Sequence, residues 1–264
     1  MKLAFTTLGC PDWSYKKILD EAQKLGYTGL EIRGIEGEMR ADKLPQFFPE
    51  NLDKTKAELK EKGLKIVGFG SSVRFHDNYD ESIEEGKLAI DVCSLAGIPV
   101  IRVFGDQVVS DETIPTVIKG LKILCEHAKG KNVLLLLEIH GTFNTLENVM
   151  PVVEGMKGIP EFGILWDVAH SDKTYGAKWM EFYTAIKPYI HHIHFKDHKH
   201  VGDEFKLCMV GEGDIPLGDI YKTLMKDGYS GWISLEWEKK WHPDLPEPEV
   251  AFPEFVKFMK KLEA

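Results

Sequence analysis

Short β-rich apolar runs alternate with longer helical patterns from one end of the chain to the other, and this rhythm constrains the fold more than any other feature. The strand-like runs cover 2–8, 29–33, 65–71, 100–106, 133–140, 162–170, 190–197 and 232–238. Helical patterns lie between them, at 14–25, 51–62, 82–95, 113–129 and 217–226, and a last one at 248–262 follows the eighth strand. Several stop at glycine signals: Leu25-Gly26, Lys62-Gly63, Ala96-Gly97 and Asp227-Gly228. Such alternation predicts parallel strands joined by right-handed crossovers. The 264 residues shared among eight units give about 33 each, which favours a closed (β/α)8 barrel over an open doubly wound sheet. No Gly-x-Gly-x-x-Gly turn follows the first strand, so the main sequence argument for a dinucleotide fold is missing. No low-complexity linker splits the chain, and the turn-rich segment 241–248 is a loop rather than a boundary. The expected fold class is α/β, a single TIM-barrel domain over residues 1–264.

A chain of this length, 43% hydrophobic, buries a full core without metal or disulfide staples. Its four cysteines, Cys10, Cys93, Cys125 and Cys208, lie far apart with no Cys-x-x-Cys pair, which argues against a disulfide framework or a zinc ribbon. The opening MKLAFTTLGCPDWS lacks the apolar centre of a signal peptide, and no stretch approaches the roughly 18 apolar residues of a membrane span. A cytoplasmic protein with no membrane partner is expected. The net charge of −9 disfavours a general nucleic-acid binder. Homo-oligomerisation is left open.

In a barrel of this kind, chemistry sits at the C-terminal ends of the strands. Side chains along a strand alternate faces, so residues two apart share one. In the seventh run His192, His194 and Lys196 share a face opposite Ile193 and Phe195, and the polar set is expected inside. Glu31 and Arg33 oppose Leu30 and Ile32 in the second run; Arg102 lies between Ile101 and Val103 in the fourth. Glu138 ends an apolar fifth strand, Asp167 is the first charge after an apolar sixth, and Glu236 arrives at the end of the eighth. A carboxylate brought into a barrel mouth without a partner is costly. Glu138, Asp167, His194 and Glu236, from four successive strands, therefore point to one divalent cation. Three carboxylates and an imidazole make a hard, oxygen-rich set that suits Mn²⁺ first, with Mg²⁺ or Co²⁺ alternatives and Zn²⁺ selectable by geometry or availability. The plainer reading pairs each carboxylate with Arg33, Arg102 or Lys196. The remaining histidines of the 191–200 cluster are expected to face outward or to support the site. Gly211-Glu-Gly-Asp214 is either a phosphate cradle or, the favoured reading, a glycine-shaped turn whose Asp214 caps the next helix. Trp13, Trp237 and Trp241 are candidates for the mouth, although aromatic residues serve as core just as often. The charged stretch 50–62 reads as a solvated helix face.

The ordered pieces Leu137-Glu-Ile-His140, Trp166-Asp-Val-Ala-His170, His192-Ile-His-Phe-Lys-Asp197, Gly211-Glu-Gly-Asp214 and Ile233-Ser-Leu-Glu236 resemble the sugar phosphate isomerase/epimerase superfamily, the xylose-isomerase-like TIM barrels. The resemblance implies that Glu138, Asp167, His194 and Glu236 are metal ligands. It also implies that His170 contacts substrate, as its counterpart does in ketose 3-epimerases. Those epimerases carry a glutamate where Asn144 stands and an arginine where His200 stands, positions that help hold the sugar. Hydroxypyruvate isomerases and inosose or dehydroshikimate dehydratases belong to the same superfamily.

The expected function is a divalent-metal-dependent isomerase or epimerase of a sugar or sugar phosphate. Glu138 and Glu236 would move a proton beside the carbonyl of a hydroxy-ketone through an enediolate. Lys196, Arg102, His170, His200 and Trp13 are the candidate substrate contacts, and a small carbohydrate is the expected partner. A dehydratase on the same site is the alternative, with loss of water in place of reprotonation. An endonuclease IV-like phosphodiesterase would need an Asp-x-His where Phe205-Lys-Leu207 stands, and histidines where Gly70-Ser-Ser72 and Phe104-Gly105 stand. A non-catalytic sugar-binding barrel completes the alternatives.

Overall fold

The computed structural model describes residues 2–202 and 204–263. Eight parallel strands close into a barrel: β1 (Leu3–Thr6), β2 (Gly29–Ile32), β3 (Lys65–Arg74), β4 (Val100–Phe104), β5 (Leu134–Glu138), β6 (Phe162–Asp167), β7 (Ile190–Phe195) and, after a hairpin, β10 (Trp232–Leu235). Each pairs with its neighbours in sequence order, and β10 closes the ring against β1. Helices α1 (Tyr15–Leu25), α2 (Leu52–Lys62), α3 (Tyr79–Ala96), α4 (Thr113–Ala128) and α5 (Leu146–Gly155) follow the first five strands. Two helices, α6 (Val168–Tyr175) and α7 (Trp179–Ile186), follow β6, while α8 (Leu217–Lys226) and α9 (Pro248–Glu263) complete the ring. The closed (β/α)8 barrel expected from the strand–helix rhythm is the observed one.

Local chemistry explains the boundaries. Ser14 caps α1 by accepting the Lys17 amide. Gly26, Gly63 and Gly97 end α1, α2 and α3 in the left-handed region, at φ of +85°, +67° and +75°, where a Cβ would be strained. Strand parity sends Leu30, Ile32, Ile193 and Phe195 outward beneath the helices, where all four are fully buried. The opposite parity leaves Glu31, Arg102, His192, His194 and Lys196 buried inside the barrel. Register aligns the polar ends: Phe104 stands opposite Glu138, and His194 stands opposite both Asp167 and Ser234.

Three departures from the sequence reading bear on the mouth of the barrel. The sixth strand stops at Asp167 rather than continuing to 170, because the Asp167 carboxylate accepts the Ala169 and His170 amides and caps α6. Residues 197–208 form an antiparallel hairpin, β8 (Asp197–Val201) and β9 (Glu204–Cys208), set between β7 and α8. Asp214 does not cap α8, which starts after Pro216; its carboxylate accepts the His200 amide on that hairpin.

Candidate metal centre

Glu138, Asp167, His194 and Glu236 meet at the C-terminal mouth of the barrel. One donor atom from each lies within 4.8 Å of all the others, and all four side chains are buried. β5 and β6 deliver Glu138 and Asp167 as their last residues, β7 delivers His194 one residue earlier, and Glu236 follows β10. His194 Nδ1 lies 3.3 Å from Glu138 and 3.4 Å from Glu236. Its Nε2 faces Glu31, at 2.9 and 3.0 Å from the two carboxylate oxygens. Glu31 in turn meets His192 Nε2 at 2.9 Å.

The carboxylates do have basic neighbours. Arg102 Nε stands 2.9 Å from Glu138, and the Lys196 ammonium stands 2.8 Å from Asp167 and 2.7 Å from Glu236. Both readings of the sequence are therefore present together, pairing and convergence. Pairing does not use up the hydrogen-bonding capacity of the cluster: Glu138 Oε2 and Asp167 Oδ2 meet Arg102 and Lys196 as ion pairs, yet neither oxygen, nor His194 Nδ1, makes a hydrogen bond. Four buried donor side chains that converge on one small volume, three of them with an atom in no hydrogen bond, fit a cation ligand set. The carboxylate of Glu31 behind the imidazole is the support that such a ligand takes, since it fixes which ring nitrogen faces the centre.

Charge coupling sets the protonation states. Burial pushes Asp167 up, and with Glu236 and Glu138 beside it the carboxyl reaches about 7 in spite of Lys196. Burial also raises Glu138 and Glu236, but Arg102 and His194 for the first, and Lys196 and His194 for the second, overcome it and hold both below the usual carboxylate range. Burial disfavours the Lys196 ammonium, yet Asp167, Glu236 and Glu238 hold it well above its ordinary range. His194 is raised against burial by Glu31 and Glu236. Thus, without a bound cation, two carboxylates are ionised and the third titrates near neutrality.

A cavity of about 220 Å³ opens over this cluster, lined among others by Arg33, Arg102, Glu138, Lys196, Glu236 and Trp241. A larger one, about 550 Å³, adjoins it through His140, Lys196 and Glu238. His170 lines the larger cavity from α6, with its ring 4.2 Å from that of His140. Burial and the nearby Lys196 hold His170 well below the ordinary imidazole range, so it is neutral. Asn144 donates to the His170 carbonyl.

The other candidates lie elsewhere. His200 is exposed on β8, 3.1 Å from Asp172, which it shares with the buried His198. Trp13 is a core residue: it packs edge-on against Phe252 and donates to Glu249, and it lines neither mouth cavity. Trp237 is buried and donates to the Pro246 carbonyl, which leaves Trp241 as the tryptophan at the mouth. The amides of Gly211 and Gly213 donate to the Asp197 carboxylate at 2.9 and 3.0 Å, so these donors of the Gly-Glu-Gly turn are already occupied. Sequence reasoning gave Glu31 and His140 no role. Their signal was parity: Glu31 shares the inward face of its strand with Arg33, and His140 stands two residues beyond Glu138.

Two relatives cover most of the chain. The inosose dehydratase of Bacillus licheniformis is 26% identical, matching 88% of this chain and 82% of that protein. The inosose isomerase of Halalkalibacterium halodurans is 27% identical, matching 83% and 81%. Among solved structures, the probable 3-DHS dehydratase AsbF of Bacillus anthracis superimposes with a TM-score of 0.80 over 98% of this chain and 99% of that one, at 20% identity. The IolI protein, solved with a bound zinc atom, gives 0.71 over 100% and 96%, at 22% identity. The family model for the xylose isomerase-like TIM barrel matches residues 19–262, and the chain belongs to that family.

Proposed function

We propose that the chain is a divalent-cation-dependent enzyme that moves the proton beside the carbonyl of a polyhydroxylated ketone, with isomerisation or epimerisation as the outcome. The observation that carries this reading is the convergence of three carboxylates and one imidazole at the barrel mouth, three of them with a buried atom in no hydrogen bond. Glu138, Asp167, Glu236 and His194 Nδ1 would hold the cation, Mn²⁺ in the first instance, with Mg²⁺, Co²⁺ and Zn²⁺ as alternatives. When bound there, the cation would supply Lewis-acid polarisation of the ketone carbonyl.

The chain's own residues do the rest. Arg102 and Lys196 keep Glu138 and Glu236 ionised, ready to accept a proton from the carbon beside the carbonyl. The carboxylate that takes the proton can return it to the neighbouring carbon, which is isomerisation. Return on the opposite face requires a proton on the second carboxylate, and Lys196, 2.7 Å from Glu236, can supply it. His170, neutral and at the cavity wall, is placed to donate to or accept from a substrate hydroxyl.

A dehydratase is the second reading, favoured by the inosose dehydratase relative and by the same Lys196 ammonium, which can protonate a departing hydroxyl. The deciding experiment is cation analysis of the purified protein, followed by ketoses, ketose phosphates and cyclitols assayed in D₂O. Cation-dependent deuterium uptake is expected, and product identity separates isomer, epimer and dehydration product. If Glu138→Gln and Glu236→Gln both kept full activity, the scheme would be abandoned.

A further inference from the structure

The mouth has two chemically different halves. The candidate cation ligands come from β5, β6, β7 and the end of β10. The arginines come from the other side: Arg33 follows β2, Arg74 ends β3, and Arg102 lies in β4, and all three line the 220 Å³ cavity. Two of these guanidinium groups have anionic partners. Arg102 pairs with Glu138, donates to the Ser71 carbonyl and lies over the Phe104 ring; Arg74 reaches Asp106 at 3.6 Å.

Arg33 is different. It is 8% exposed, and its one side-chain hydrogen bond runs from Nη2 to the Ser72 hydroxyl at 3.1 Å. Its Nη1 is buried with no partner, and among the described residues no carboxylate comes within ion-pair distance of it. Burial and the neighbouring Arg102 pull its pKa down to about 9, and the more distant Glu138, Glu85 and Glu236 offset this only in part. An uncompensated buried charge is strongly disfavoured unless something else completes it. The Arg33 backbone amide donates to the Thr7 hydroxyl, the Ser72 hydroxyl accepts from Nη2, and Gly70 leaves the space beside which the Arg33 and Arg102 side chains pass.

We infer that Arg33 is the anchor for an anionic substituent, carboxylate or phosphate, on the substrate. The inference rests on the proposed function for the identity of the opposite half. A hydroxy-ketone end would lie over the carboxylate cluster, and the anionic end would lie against the Arg33 fork. A planar guanidinium with a free N–H edge suits either group, since both offer paired oxygens. With a divalent cation in place, the four cationic and four carboxylate side chains around the cavity would be tipped positive, which the anion offsets.

The test uses three ketoses that differ only at carbon 6: D-fructose, D-fructuronate and D-fructose 6-phosphate. Binding to the Mn²⁺-loaded protein is measured by calorimetry for wild type, Arg33→Met and Arg33→Lys. At least one anionic member should bind wild type tenfold or more tightly than fructose, and which one does so separates carboxylate from phosphate. Arg33→Met should abolish that advantage while leaving the fructose affinity within about twofold; Arg33→Lys should retain part of it. Equal binding of all three sugars, or an advantage that survives in Arg33→Met, would overturn the inference. A Mn²⁺ titration without sugar reports on the other half independently. If no cation binds, the functional reading fails, and the Arg33 dependence of anion binding to the cation-free protein still decides this inference.

Discussion

His194 turns its Nε2 onto Glu31, 2.9 Å away, and so leaves Nδ1 facing Glu138 and Glu236. One carboxylate on β2 thereby orients an imidazole on β7, across the barrel. A supporting carboxylate of this kind typically accounts for about 10–100-fold in cation affinity. Glu31→Ala should lower the affinity by that much in a calorimetric titration with Mn²⁺. Glu31→Gln, which keeps an acceptor for the Nε2 proton, should lose less. Equal affinity in all three proteins would remove Glu31 from the site.

The four converging residues were legible because a strand has a period of two, and an acidic residue at the end of an apolar strand announces itself. The Glu31 partnership was half legible. Parity placed Glu31 inside, but which inward groups meet depends on barrel closure, and no local pattern records that β2 and β7 face each other. The hairpin of β8 and β9 was illegible for a different reason. Its residues, from His198 to Lys206, are mostly exposed and polar, so no apolar alternation marks them as strands. Trp13 illustrates an ambiguity intrinsic to aromatic residues: the ring that could stack on a sugar fills the space beside Phe252 instead.

Asp167 makes cation binding pH-dependent. Its carboxyl, raised to about 7 by burial with Glu236 and Glu138 nearby, carries a proton below that pH, and a cation must displace it. Apparent Mn²⁺ affinity should climb as pH rises through about 7, by up to about tenfold per unit on the acid side. The stability effect has the opposite sign. The folded pKa exceeds the ordinary 3.8, so the contribution of Asp167 to the cation-free protein is full below 3.8 and lost as pH rises through about 7. Melting in chelator should therefore show wild type losing ground to Asp167→Asn across that window. A difference independent of pH would contradict this assignment.

Gly70 is required by the two arginines it lies between. A Cβ there would sit 2.7 Å from Arg33 Cδ and 2.8 Å from Arg102 Nη2. Arg102 cannot swing aside freely, because Ser71 and Glu138 hold it. Gly70→Ala should cost about 1–3 kcal/mol by overpacking. It should also lower turnover, since Arg102, with His194, keeps Glu138 ionised against burial. Melting temperature and steady-state kinetics measure the two effects; an alanine variant with wild-type values in both would show that the arginines have room to move.

Lys196 sits among Asp167, Glu236 and Glu238 as the positive charge these three carboxylates share. Replacing it with methionine keeps most of the side-chain volume and leaves these carboxylates without that charge. Breaking a buried ion pair from one side costs about 3–5 kcal/mol, and Lys196→Met should be destabilised by that order in chelator. Mn²⁺ restores positive charge to the same carboxylates, so the loss should shrink when denaturation is repeated in saturating Mn²⁺. A loss of equal size in both conditions would mean that Lys196 acts by packing alone. Its second role separates at the level of the reaction. If the Lys196 ammonium supplies the proton that completes turnover, the variant should still exchange substrate hydrogen with D₂O at Glu138, which Arg102 keeps ionised, while product formation falls at least tenfold. Parallel loss of exchange and turnover would place Lys196 at proton abstraction, before the point at which isomer, epimer and dehydration product diverge.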